Sequence, residues 1–192
     1  MDQAAGTEAQ KDASPAVIAQ QQAMLKALPF SDTADFDDAA RGFLGSIEHA
    51  NIASQTGRTV WSLEPYGFLF DAEAPATVNP SLWRQARLNM HHGLFEVVPG
   101  VCQVRGFDIA NMTLIEGDSG VIVVDTLTSI EGARAAMDLY FNHRGKRPVV
   151  AVIFTHTHTD HWGGARGVLD DAALAGGKIP VIAPNLFMEH AV

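Results

Sequence analysis

Apolar and polar positions change rhythm twice along the 192 residues. Residues 1–14 are rich in Ala, Gln, Asp and Glu without any period, and read as a disordered lead-in. From Pro15 to Leu28 the apolar positions Ile18, Met24, Leu25 and Leu28 predict a helix, opened near Pro15 and stopped by Pro29. A second helix is predicted over Phe36–His49, with Phe36, Ala40, Phe43, Leu44 and Ile47 on one face. The run Thr59–Leu63 is strand-like, and Ser81 is placed to cap a short helix reaching Asn89. The aromatic residues of this stretch read as core before they read as a pocket.

After Gly93 the period shortens to that of strands. Leu94–Val98 and Val101–Arg105 are joined at Pro99-Gly100, and Met112–Glu116 and Val121–Asp125 at Gly117–Gly120. The continuous run Val121-Ile122-Val123-Val124 predicts a strand covered on both faces. A helix follows over Ile130–His143, with Ser129 as N-cap and Ala133, Ala136, Met137, Tyr140 and Phe141 facing inward. Val149–Phe154 is a wholly apolar strand. A helix near Ala165–Leu174, a strand Val181–Ala183 and a helix opening at Asn185 complete the pattern. A strand meander leading into βαβ units predicts an α/β (α+β) fold, a mixed sheet with helices over it. Ligand sites in such sheets lie beyond the carboxyl ends of the strands.

Composition narrows the partners. With 13 Lys and Arg against 22 Asp and Glu the net charge is -9, which excludes nucleic acid as a first expectation. No apolar run approaches the roughly 18 residues of a membrane span. Residues Met1–Asp12 show no secretory pattern, so the expected location is the cytoplasm, with the periplasm or secretion as alternatives. Cys102, the single cysteine, reads as a small buried residue, and the pair His91-His92 as solvated or backbone-bonded.

The chemistry is concentrated in Thr155-His156-Thr157-His158-Thr159-Asp160-His161, at the end of an apolar strand. Clustered imidazoles and a carboxylate contribute little to packing but are ligands that suit zinc, and also manganese or iron. Alternate residues of a tight turn point the same way, so His156 and His158 can grip one ion, while Asp160 and His161 can reach a second. Gly163 and Gly164 let the backbone pass close behind. Two ions roughly 3.5–4 Å apart can share a water and lower its pKa, giving hydrolysis by a metal-bound hydroxide without a protein nucleophile. A purely structural zinc is disfavoured, because closed sites of that kind favour cysteine.

His-x-His-x-Asp-His after a Val/Ile-rich strand, with Val124-Asp125 one βαβ unit earlier, resembles the metallo-β-lactamase superfamily. Within it the chain is similar to the alkyl sulfatases of the sodium-dodecyl-sulfate hydrolase type. Trp61-Ser62-Leu63, His92–Phe95, Gln103–Asp108, Ala110–Gly117 and Thr155–Gly164 carry that likeness, as does the long stretch ahead of the first sandwich strand. The resemblance spans roughly residues 15–192 and implies an αβ/βα sandwich with two zinc ions between its sheets. It also implies an alkyl sulfate substrate and a homodimeric full-length enzyme. For Asp125 it implies a hydrogen bond to the histidine loop; on its own chemistry a strand-end Asp could equally cap the following turn.

Relatives of this type complete both metal shells with further carboxylates and a histidine, followed by dimerisation and lipid-carrier-like domains. The expectation is therefore an amino-terminal portion: residues 15–93 as an extension, mostly helical, and 94–192 as an incomplete sandwich that is inactive alone. Other hydrolases of the superfamily, thioesterase- or glyoxalase-like or lactonase, are the alternative enzymes. A non-catalytic metal-binding fragment is the alternative outside catalysis.

Overall fold

The structure is a computed structural model and describes residues 11–70 and 73–191; the greater part of the disordered lead-in read from the sequence lies outside them. Its frame is a seven-stranded sheet built around one polarity switch. In chain order the strands are β1 (Phe43–Gly45), β2 (Ile52–Ala53), β3 (Thr59–Trp61), β4 (Gly93–Val98), β5 (Val101–Arg105), β6 (Met112–Glu116), β7 (Val121–Val124), β8 (Val149–Ile153) and β9 (Val181–Ile182). The sheet order is β1-β4-β5-β6-β7-β8-β9, while β2 and β3 form a separate ribbon. Pairing is antiparallel up to β7 and parallel from β7 to β8 and β9.

The parallel step follows from α4 (Ile130–Arg144), which carries the chain back between β7 and β8. Ser129 caps it, its hydroxyl accepting from Gly132 N at 3.0 Å, and Gly145 ends it at φ 81°. Ala133, Ala136, Met137 and Tyr140, spaced to share one helical face, are buried with Cys102, Val104, Leu114, Val123 and Val152 of the sheet. Register places Cys102, Leu114, Val123 and Val152 side by side on that face. The opposite face, with Ile115, Ile122, Val124 and Ile153, is only half-buried or exposed. The run Val121–Val124 is thus covered on one face by α4, where a cover on both faces was expected.

Two predicted helices differ. The one expected over Phe36–His49 is confined to α2 (Ala34–Ala40), because Gly42 turns the chain at φ +74° into β1. Gly42 O accepts from Glu96 N at 2.7 Å, and a Cβ on Gly42 would stand 2.1 Å from Glu96 O. This close approach lets β1 join β4, so the amino-terminal stretch contributes a strand to the main sheet as well as helices. The helix expected near Ala165–Leu174 divides into α6 (Ala165–Val168) and α7 (Asp171–Ala175) at buried Leu169.

Elsewhere the differences are of one or two residues. α1 is Pro15–Ala27, with Ser14 as cap. α3 is Pro80–Leu88, capped by Asn79, whose Oδ1 accepts from Ser81 N and Leu82 N, two positions ahead of the predicted Ser81. The remaining helices are α5 (Thr159–Trp162) and α8 (Phe187–His190).

Candidate metal centre

Strands β7 and β8 run parallel and end together, Val124 beside Ile153, so their following loops meet. Asp125 extends the ladder by one bond, its N–H donating to Ile153 O at 2.9 Å, and then turns at φ 58°. Asp125 as a whole is only 6% exposed. A carboxylate so placed must be met by donors, and three are present. Oδ1 accepts from Thr155 N at 2.8 Å. Oδ2 accepts from Thr155 Oγ1 at 2.8 Å and from His161 Nδ1 at 2.7 Å.

The return path of the loop is equally fixed. His161 O accepts from Thr126 N at 2.8 Å, and Gly164 N donates to Leu127 O at 2.8 Å. A Cβ on Gly163 would stand 2.4 Å from Thr128 O, and one on Gly164 2.1 Å from Thr126 O. Only glycine permits the two loops to lie this close. Trp162 Nε1 donates to Thr157 O at 2.9 Å and ties the crest of the loop to its base.

This frame decides which imidazole nitrogens are free. With His161 Nδ1–H spent on Asp125, its Nε2 is left as the acceptor atom. Thr155 gives its hydroxyl proton to Asp125, so its oxygen accepts at 2.9 Å from His156 Nδ1–H. The tautomer assigned from this network leaves His156 Nε2 free as well. One buried carboxylate therefore orients His161 directly and His156 through a threonine.

The four loop side chains come together. Ring centroids lie 4.7 Å apart for His156 and His158 and 3.9 Å apart for His156 and His161. His161 Nε2 and Asp160 Oδ2 are separated by 3.2 Å. Two donors bound tetrahedrally to one ion at about 2.0–2.1 Å stand about 3.3 Å apart, so this pair fits an edge of a zinc shell. Among the described residues no three or more His, Cys, Asp or Glu are gathered to hold an ion by themselves.

Other histidines lie elsewhere. Both nitrogens of His92 face carbonyl oxygens, Met90 O at 2.9 Å and Ile47 O at 3.3 Å, and His91 meets Phe36 edge-on at 6.4 Å. Cys102 is fully buried, and burial pushes its thiol pKa up, away from reactivity. Thr155, Thr126 and Trp162 have roles in the loop that residue type alone did not single out. For Thr155 the available signal was its place between strand β8 and the first histidine.

The sequence pattern of the metallo-beta-lactamase superfamily matches residues 105–192. Over 182 residues, 95% of the chain, it is 53% identical to an (R)-specific secondary-alkylsulfatase of a Pseudomonas species. It is 47% identical over 183 residues to an alkyl/aryl-sulfatase of Saccharomyces cerevisiae. The solved structure of a stereoselective inverting sec-alkylsulfatase from a Pseudomonas species superposes with a TM-score of 0.88 over 95% of the chain, at 54% identity. The chain spans 27% and 28% of the lengths of the two sulfatase sequences and 28% of the solved one. By its fold, its histidine loop and this similarity, the chain belongs to the metallo-β-lactamase superfamily, in the part of it occupied by the alkylsulfatases.

Proposed function

We propose that these 192 residues are the amino-terminal portion of a two-zinc alkyl sulfatase, which hydrolyses long-chain alkyl sulfate esters to an alcohol and sulfate. One observation carries this reading beyond "hydrolase of the superfamily". The likeness to alkylsulfatases runs over 95% of the chain, through the stretch ahead of residue 105 that the superfamily pattern does not reach. A thioesterase or lactonase reading explains the loop and leaves that stretch without a counterpart.

In this reading His156 and His158 contribute to one ion, and Asp160 and His161 to the other. Two donors fill only part of a zinc shell, so the remaining ligands would come from residues other than these. When bound, the ions would supply Lewis acidity to the ester oxygens and a water acidic enough to attack near neutral pH. The chain's own part is positional. Asp125 holds His161 with Nε2 outward, and Thr155 passes the same constraint to His156. Trp162 and the close-packed glycines keep the loop from relaxing away from the sheet end. The whole protein is proposed to act as a homodimer.

The test is a turnover panel of dodecyl sulfate, a thioester and a lactone, with free sulfate measured by ion chromatography. Sulfate release from the whole protein that stops on chelation and in His158→Ala is the expected result. Thioester or lactone cleavage without sulfate release would overturn the reading.

A further inference from the structure

The turn between β7 and α4 is held in a conformation that its own residues disfavour. Asp125 and Leu127 stand at φ 58° and φ 62°, in the left-handed region that residues with a Cβ avoid. Asp125, Thr126 and Leu127 are all buried. Such a turn persists only where its surroundings fix it from more than one side. Its inner side rests on the histidine loop: Thr126 N donates to His161 O, and Gly164 N to Leu127 O, both at 2.8 Å. Those bonds work in both directions, so the loop is only as well placed as the turn beneath it.

The outer side is held by a residue that the metal chemistry does not use. Asp108 lies in the β5–β6 connection, seated by buried Phe107 and Ala110. Its Oδ2 accepts from Thr128 N at 2.8 Å. Its Oδ1 accepts from Thr128 Oγ1 at 3.0 Å and from Ile109 N at 2.6 Å. One carboxylate thus takes both donors of Thr128, the residue directly after the left-handed pair. Thr128 is also where the histidine loop packs most closely, since a Cβ on Gly163 would stand 2.4 Å from Thr128 O. The clamp therefore grips the turn at the point on which the loop lies.

We propose that Asp108 is a positioning residue for the metal centre. It touches none of the four loop donors and acts through Thr128. By holding the turn left-handed, it keeps the Asp125 carboxylate on His161 Nδ1 and the backbone of Thr126 on His161 O. The effect on zinc rests on the metal centre proposed above, while the placing of the loop does not.

The experiment is amide hydrogen exchange on the metal-free full chain, joined to a chelator competition for zinc. Asp108→Asn keeps the size of the side chain, but in either orientation its amide nitrogen faces an N–H, of Thr128 or of Ile109. Exchange at Thr126 and Gly164, whose amides bond the turn to the loop, should quicken about tenfold. Exchange at Leu114 and Val123, in the middle of the sheet, should stay as in the parent. Zinc affinity should fall about fivefold, less than for a group bonded directly to a ligand. Thr128→Val removes one exposed hydroxyl and should show the same pattern at smaller size. Thr128→Ser keeps both donors and should match the parent in both readouts. Tyr140→Phe, which loosens α4 at its other end, should lower stability without moving zinc affinity.

Exchange raised by one common factor at all four amides would make Asp108 a general brace of the fold and overturn the proposal. Zinc affinity in Asp108→Asn equal to that of the parent would overturn it too. A parent that binds no zinc would instead overturn the metal reading, and the exchange pattern would then decide the role of Asp108 by itself.

Discussion

Two buried carboxylates stand at opposite ends of the same pair of strands, and their surroundings differ in one respect. At the end of β6, Glu116 accepts from Tyr140 Oη at 3.0 Å, Arg144 Nε at 2.9 Å and Arg144 Nη2 at 2.8 Å. Past the end of β7, Asp125 also accepts three bonds, from Thr155 N, Thr155 Oγ1 and His161 Nδ1. Around Glu116 the donors end there: tyrosine and arginine lock α4 to the sheet, with Glu96 3.3 Å from the same Arg144. Around Asp125 one donor is an imidazole, whose second nitrogen faces away, and Thr155 ties in another. A closed network of this kind holds a fold together. One whose donors are bifunctional holds acceptor atoms ready for a cation.

The largest effect separating the two ends is expected at Glu116. Glu116→Ala leaves Arg144 and Tyr140 without their shared acceptor and should cost about 3 kcal/mol of stability in denaturant unfolding, with zinc affinity per folded molecule unchanged. The Arg144 hydrogen bonds hold Glu116 at a pKa of about 2, despite burial, and burial first and Glu116 second push Tyr140 up to about 12. The folded pKa of Glu116 is depressed, so its contribution is complete above the unfolded value near 4.3 and is lost as pH falls towards about 2. On the order of 2–3 kcal/mol rides on that window, and acid unfolding of Glu116→Gln should show a correspondingly flatter slope across it.

The converse variant is Asp125→Asn. It should weaken zinc binding about 10- to 100-fold in a chelator competition, because the amide can donate where the carboxylate only accepted. Thr155→Val removes the link to His156 and spares His161, so a loss below tenfold is expected. The His156 ring nitrogens should then lose their single-tautomer signature in ¹⁵N spectra. Arg41→Ala, breaking an exposed pair with Asp38, should change stability by no more than about 0.5 kcal/mol. An Asp125 variant that lost only stability, or a Glu116 variant that lost zinc, would erase the distinction.

How much of this was readable in the sequence follows the same division. The strands 93–124, α4 and its Ser129 cap were legible because period, turn residues and cap all agreed locally. That His156, His158, Asp160 and His161 come together was legible because their residue types have no packing rationale. The second helix was overextended, since Phe43 and Leu44 keep helical spacing. What overrules it is the approach of Gly42 to Glu96, fifty-four positions away, which no local pattern records. For Thr155 the sequence offered only its place ahead of the first histidine; the fold brings Asp125 to it, and with that the tautomer of His156.

Zinc affinity of the chain, by competition with a chromogenic chelator, beside that of His156→Ala/His158→Ala at matched stability, tests the central claim most directly. The loop as a metal centre predicts binding by the parent and at least a hundredfold loss in the variant, the melting profile of the metal-free proteins being the same. Equal affinity in the two would contradict it.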